Sequence, residues 1–318
     1  MDFSFSINTP QADIKVSIII ASYNKKDYIL NAIDSLYNQT ISKDLYEVIV
    51  VDNNSTENIR GTIMKYLYPN RDTVKRFNFK YLEEENQGSS FARNKGAKFA
   101  SGELLAFMDD DAIANKDFVE RIIKFFNAFK SADALGGRII PKYIPLKPKW
   151  MSYYVESLVG NFDYSNSFCL FEKGKYPLES NMIVRKESFN EINGFNIKLP
   201  GVKGKIRIGG EGKDFFFKLQ SLNKKIYYDP QLIVQHVVEI SKLNKEYMYR
   251  VASGIGRGER VRMLEKGYYS YFKKFIEYIL KFGASIILGI KYSIMGEPLK
   301  ARPVINFRID AIKGLIGL

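Results

Sequence analysis

The sequence predicts an α/β protein built on a doubly wound, mostly parallel sheet. Three observations predict it. Apolar runs of strand length recur through the first 140 residues, segments with helical spacing separate them, and the runs end on polar or acidic residues. Strands that alternate with helices need crossover connections, and crossovers build parallel sheets buried on both faces.

Each element follows from its own pattern. VSIIIAS (16–22) is apolar throughout, as a strand covered on both faces requires. KKDYILNAIDSLYNQT follows, with Ile29, Ile33 and Leu36 at helical spacing. YEVIVVD (46–52) is a second buried strand that closes on Asp52, and ENIRGTIMKYL reads as a helix. FNFKYLE (77–83) alternates and reads as a third strand. SSFARNKGAKFA is a small-residue helix, and GELLAFM (102–108) is a fourth strand. After residue 140 the pattern loosens. IIPKYIPLKPKW holds three prolines and reads as a crossing segment. ESNMIVR (179–185) reads as a strand, KESFNEING as a short helix and EGKDFFFKLQSL (211–222) as a longer one. KKIYYDP and QLIVQHVVEI read as two strands. From residue 242 the chain turns helical and basic. The expected division is therefore 1–240 and 241–318.

Composition bounds the function classes. With 318 residues, 46% hydrophobic and 26% charged, the chain has ordinary globular content, which rules against disorder. The single cysteine, Cys169, cannot form an internal disulfide, so a reducing, cytoplasmic setting is expected. The first residues lack the basic start and apolar core of a secretion signal. No run reaches about 18 uninterrupted apolar residues, so no clean membrane-spanning helix is expected. Net charge is +13, and residues 241–318 hold 15 Lys and Arg against 6 Asp and Glu. A basic tail of this kind points to an anionic partner, a membrane surface or nucleic acid. No nucleic-acid recognition motif accompanies it, so nucleic acid is not the expected partner.

Ligands of open parallel sheets sit at the carboxyl ends of the strands. The glycine-rich dinucleotide fingerprint and the phosphate-cradling loop are both missing after the first strand. A nucleotide there would be held by side chains. Tyr23 is placed to stack on a base, although ASYNKKD equally well caps the next helix. Asp52 opens DNNST, which reads either as a turn or as a carboxylate that accepts from a base N–H, such as N3 of uracil. The strongest local signal is DDDA, residues 109–112. Three adjacent carboxylates at a strand end repel one another unless a cation relieves them, and hard oxygen ligands suit Mg²⁺ or Mn²⁺. Alternation along the chain lets Asp109 and Asp111 face one side and Asp110 the other. The competing reading is a cap cluster for the helix ANKDFVERIIKFF. His236, the only histidine, lies in a strand-like run. It is either structural or the imidazole that completes a Mn²⁺ site. Glu211 and Asp214 follow a double glycine, and at i and i+3 they share a helix face. They read as helix-start acids or as a general base on a mobile loop. The preceding LPGVKGKIRIGG is glycine-rich and basic, fitting a loop that orders over a phosphate-bearing ligand.

Six stretches in this order resemble the bacterial family-2 inverting glycosyltransferases, which have a GT-A fold. They are VSIIIASYNKKDYILNAIDSLYNQT, EVIVVDNNSTENI, NQGSSFARNKGAKFASGELLAFMDDDA, ESNMIVRKESFNEINGFN, GGEGKDFFFKL and PQLIVQH, spanning about residues 14 to 240. The resemblance implies that residues 1–240 form the catalytic domain. It implies a nucleotide-sugar donor, a glycan or lipid-linked glycan acceptor, a divalent metal and a hexosyl- or N-acetylhexosaminyl-type transfer with inversion. By the same resemblance Ala21 and Tyr23 flank the base, Asp52 binds it and Arg93 helps hold the nucleotide. Asp110 lies near the ribose, and Asp109 and Asp111 near metal and diphosphate, as in a D-x-D motif. His236 is a further metal or diphosphate ligand, and Ser180 and Asn181 line the sugar and acceptor pocket. The family has an acidic pair where this chain has Glu211 and Gly212, which leaves Glu211 as the first base and Asp214 as the next.

The C-terminal stretch YSYFKKFIEYILKFGASIILGIKYSIM is apolar but broken by Lys273, Lys274, Glu277, Lys281 and Lys291. An interfacial helix on the inner face of the cytoplasmic membrane fits it, as does a basic helix packed on the catalytic domain. Two other functions compete with the transferase. A nucleotidyltransferase would carry a glycine-rich loop where this chain has ASYNKKD, and a transferase-like scaffold without activity is suggested by Gly212.

Overall fold

The computed structural model describes residues 5–7, 13–68, 78–204 and 206–318. The first half runs β1 (Phe5–Ile7), β2 (Val16–Ser22), α1 (Lys26–Tyr37), β3 (Tyr46–Asp52), α2 (Ile59–Leu67), β4 (Asn78–Glu83), α3 (Ser89–Phe99) and β5 (Leu104–Asp109). The second runs β6 (Ala112–Ala114), α4 (Phe118–Ala128), β7 (Ala134–Ile144), α5 (Tyr153–Glu156), β8 (Cys169–Leu170), β9 (Met182–Arg185), α6 (Lys186–Glu191), β10 (Gly201–Lys203), β11 (Ile206–Ile208), α7 (Glu211–Ser221) and β12 (Ile226–Glu239). Three helices close the chain, α8 (Lys245–Glu265), α9 (Tyr268–Ile294) and α10 (Pro298–Ile316).

One ten-stranded sheet carries the fold, in the order β1-β4-β3-β2-β5-β9-β7-β12-β6, with β8 also on β12. Strands β4, β3, β2 and β5 are mutually parallel. β9 is antiparallel between β5 and β7, and β12 is parallel to β7. The apolar runs of β2 and β3 are continuous because both faces are covered. Ile18, Ile20, Val48 and Val50 pack on α1, α2 and α4 through Ile29, Ile33, Ile63 and Ile122. Ile19, Ile49 and Val51 share the opposite core with Ala92, Phe189, Phe215 and Phe216 of α3, α6 and α7. A third core joins Val251, Ala252, Tyr278, Val304, Phe307 and Ala311 of the last helices to Met151, Val155, Leu158, Val159 and Val238.

The structure corrects three expectations. IIPKYI is the far end of β7, not a crossing segment. β7 is paired with β9 only through Gly136, and its last contact on that side is a bridge from Ile139 to Phe162. Pro141 therefore costs the sheet no bond on that edge. The two strands expected over 224–240 are one strand, β12, which absorbs Asp229–Pro230 as an irregularity between Asp229 and Ile233. The cap reading of the aspartates also fails. β6 separates them from α4, whose cap position is Asp117. Phe77, the first residue of the expected third strand, lies outside the described residues.

Candidate active site

β2, β3 and β5 end side by side. Register pairs Ser22 with Asp52 and Ala21 with Asp109, so each strand delivers its last residue to one edge. A cleft of about 810 Å³ opens there. It gathers Ala21, Tyr23, Arg93, Asp109, Asp110, Asp111, Ser180, Glu211 and His236, residues that lie far apart in sequence. Asp52 faces a second, smaller cavity of about 310 Å³. Its carboxylate accepts from the Ser55 amide at 3.0 Å and from the Tyr81 hydroxyl at 2.8 Å.

The three aspartates separate by direction. Asp110 turns back to β2 and accepts from the Tyr23 amide at 3.1 Å. Burial, then the neighbouring Asp111 charge, pushes its carboxyl well above the ordinary range, against the Tyr23 amide. Asp111 turns the other way. One oxygen lies 2.9 Å from His236 Nε2, the other 2.6 Å from Lys242 Nζ and 3.5 Å from Lys25 Nζ. Burial alone would raise Asp111, but His236, Lys242 and Lys25 hold it well below the ordinary carboxylate range. Asp109 faces Arg93, at 3.3 Å.

Asp109, Asp111 and His236 each present a ligand atom within 4.8 Å of the others. His236 Nδ1 lies 2.8 Å from the Val159 carbonyl, which only accepts. The Val159 carbonyl therefore fixes a proton on Nδ1, and Nε2 is the ring nitrogen that a metal on Asp109 and Asp111 would take. Gly160 makes this approach feasible. A Cβ there would lie 2.6 Å from Nδ1, and its φ of +87° disfavours any side chain. Two carboxylates and one imidazole fit a hard divalent ion such as Mn²⁺. The Lys242 ammonium now supplies the positive charge at that point, 3.2 Å from Nε2.

The opposite wall is built by α7 and the turn before β9. Glu211 accepts from Ser89 Oγ at 3.1 Å and lies 3.6 Å from Arg93, so one buried guanidinium stands between Asp109 and Glu211. Asp214 does not line the cleft. It faces Arg262 at 3.4 Å and Lys218 at 3.1 Å. Three residues of helix rotate a side chain by roughly 300°, which leaves enough divergence to split the two acids between neighbours. Ser180 is buried on the cleft wall. Asn181 is fully buried and does not reach the cleft. Its amide donates to the carbonyls of Arg138 and Leu232, both at 2.9 Å, and so ties β7 to β12.

Lys25, Glu179 and Lys242 also line the cleft, and none of them belongs to a motif that singles it out in the sequence. Lys25 bridges Asp111 and Glu239. It lies within the ASYNKKD stretch, so its place after the first strand was an available signal. Lys242 sits at the start of a basic tail and carries no motif. Glu179 precedes Ser180 in the ESN stretch and lines the cleft beside Glu211.

A doubly wound sheet with an Asp-rich cleft at its strand ends, closed by an antiparallel β9 and β12, is the architecture of a GT-A glycosyltransferase. The family model for glycosyl transferase family 2 matches residues 17–192, and the chain belongs to that family. Its relatives include the glucosyl-dolichyl phosphate glucuronosyltransferase of Haloferax volcanii, 26% identical over 79% of this chain and 78% of that one. The poly(ribitol-phosphate) beta-glucosyltransferase of Bacillus spizizenii is 33% identical over 41% of this chain, a match that spans only 21% of that longer protein. Among solved structures, the mannosyltransferase PcManGT of Pyrobaculum calidifontis in complex with GDP-Man and Mn²⁺ has a TM-score of 0.63 at 16% identity. That match covers 97% of this chain and 89% of that one. TarS 1–349 of S. aureus in complex with UDP has a TM-score of 0.50 at 19% identity, covering 96% and 92%. These likenesses give the fold.

Proposed function

We propose that this glycosyltransferase moves a hexosyl or N-acetylhexosaminyl group from a UDP-sugar to a hydroxyl of a glycan or lipid-linked glycan, with inversion. One observation carries the reading. The cleft holds two sets of carboxylates with separate tasks, Asp109 and Asp111 beside His236, and Glu211 across Arg93. A single displacement needs such a division, with charge relief at the leaving group and a base at the acceptor. Mn²⁺ or Mg²⁺ on Asp109, Asp111 and His236 would neutralise charge on the departing diphosphate.

The chain's own residues do the rest. Asp52 accepts N3–H of uracil, Tyr23 and Ala21 flank the ring, Asp110 meets the ribose and Arg93 helps hold the nucleotide. Ser180 borders the sugar, with Asn181 behind it. Glu211 takes the proton of the acceptor hydroxyl, and that oxygen bonds to the anomeric carbon. The bond from that carbon to the diphosphate oxygen breaks, and UDP leaves with the electron pair.

Among the described residues no helix is long and apolar enough to cross a membrane. α9 instead shows solvent a row of Phe272, Leu280, Ile287 and Ile294, each 60–81% exposed. Lys273 and Lys291 accompany it. This supports a peripheral seat on the cytoplasmic face of an anionic membrane, where a lipid-linked acceptor would lie.

A thermal-shift panel of UDP, GDP, CDP and dTDP, with and without Mn²⁺, tests the donor. UDP should raise the midpoint only with metal, and Asp111→Ala should abolish the rise. No shift with any nucleotide would sink the transferase reading.

A further inference from the structure

Glu211 has a neighbour in the cleft that the mechanism above leaves unused. Glu179 arrives from the turn Glu179–Asn181 that leads into β9. Its Oε1 accepts the Gly212 amide at 2.6 Å. α7 begins on Gly210, which offers no capping side chain, so Glu179 caps the helix from another segment. Gly212 itself has ordinary helical backbone, so conformational freedom does not explain the glycine. Space does. A Cβ at 212 would lie 2.2 Å from Glu179 Oε1, 2.4 Å from Cδ and 2.7 Å from Cγ, and these are its three nearest atoms. The Glu179 carboxylate fills the room beside Glu211 that a side chain at 212 would take.

We propose that Glu179 is the second carboxylate of the proton-accepting site, and that it shares with Glu211 the proton taken from the acceptor hydroxyl. The proposal rests on the transferase reading above. The acceptor O–H bond breaks, its proton enters the carboxylate pair, the oxygen bonds to the anomeric carbon, and the diphosphate departs with the bonding electrons. Burial, then the Glu211 charge, raises the Glu179 carboxyl above its ordinary value, against the pull of Arg93. A carboxyl with raised proton affinity is suited to hold that proton. The plainer alternative is that Glu179 only caps α7.

Glutamine separates the two, because its amide oxygen still accepts from Gly212 but takes no proton. The full chain with Mn²⁺ is assayed for UDP binding by calorimetry and for UDP release from UDP-glucose and UDP-N-acetylglucosamine, with water as acceptor. Glu179→Gln should bind UDP as wild type does and lose about 10²-fold in kcat. Gly212→Glu alone should lower Tm by collision. The pair Glu179→Ala with Gly212→Glu should recover part of the Tm that Gly212→Glu loses, short of wild type because the α7 cap is gone, and return kcat to within about tenfold of wild type, because the carboxylate has been moved and not removed. Glu179→Gln with wild-type kcat would overturn the proposal and leave a helix cap. A Gly212→Glu protein as stable as wild type would overturn the shared space, whatever the donor. A wild type that neither binds nor releases UDP would instead defeat the transferase reading, and this proposal with it.

Discussion

The two walls of the cleft are built in different ways. One is the edge of β2, β3 and β5, where parallel register sets Asp52, Asp109 and the residues after them side by side. The other is assembled from the Glu179 turn, the start of α7, the far end of β12 and the segment that follows it. The first wall supplies aspartates. The second supplies the nearest countercharges of Asp111, His236 and Lys242, while Lys25 after β2 and Arg93 of α3 add theirs from other segments. The comparison teaches that the chain places its aspartates by local strand geometry and neutralises Asp111 largely by long-range packing. Each wall therefore depends electrostatically on the other.

The largest test of that dependence removes the acid. We predict that Asp111→Asn leaves the buried Lys242 ammonium without its carboxylate and costs the metal-free protein roughly 3–5 kcal/mol. Urea unfolding measures this, and a loss under about 1 kcal/mol would mean that the two walls are not coupled through this pair. The next test removes the countercharge. Lys242 stands where a divalent ion would bind, so Lys242→Met should tighten Mn²⁺ binding by about tenfold, ~1.4 kcal/mol, in a calorimetric titration. Weaker or unchanged binding would show that the ammonium does not compete. The smallest test stays within the first wall. The Asp110 carboxyl is raised in the folded state, so its ionisation costs stability. That cost grows as pH climbs from about 4 through the raised value, and it is absent below. Asp110→Asn should therefore be more stable than wild type by about 1 kcal/mol at neutral pH, with the two proteins converging in acid. A variant less stable at neutral pH would reverse the assignment.

The two walls were also unequally legible. β2 and β3 could be bounded from sequence because strands covered on both faces leave unbroken apolar runs, and the chain marks their ends with Ser22 and Asp52. The DDD signal was visible because adjacent like charges need an explanation. The second wall gave weaker signals. Pro141 and Asp229–Pro230 look like breaks, yet β7 has a free edge there and β12 bends through its irregularity. Lys242 and Glu179 belong to the commonest surface residue types, and only the folded sheet brings them to the cleft. Asp214 shows the converse. Its spacing from Glu211 predicts a shared face, but Asp214 faces Arg262 of α8 and stays out of the cleft.

The contact of Glu179 with Gly212 also fixes an order of change. A larger residue introduced first at 212 meets a filled space, whereas a shorter one introduced first at 179 opens it. A library that randomises position 212 alone would sample only residues whose entry displaces the Glu179 carboxylate. Only joint sampling of 179 and 212 gives access to sequences in which the carboxylate has changed its point of attachment.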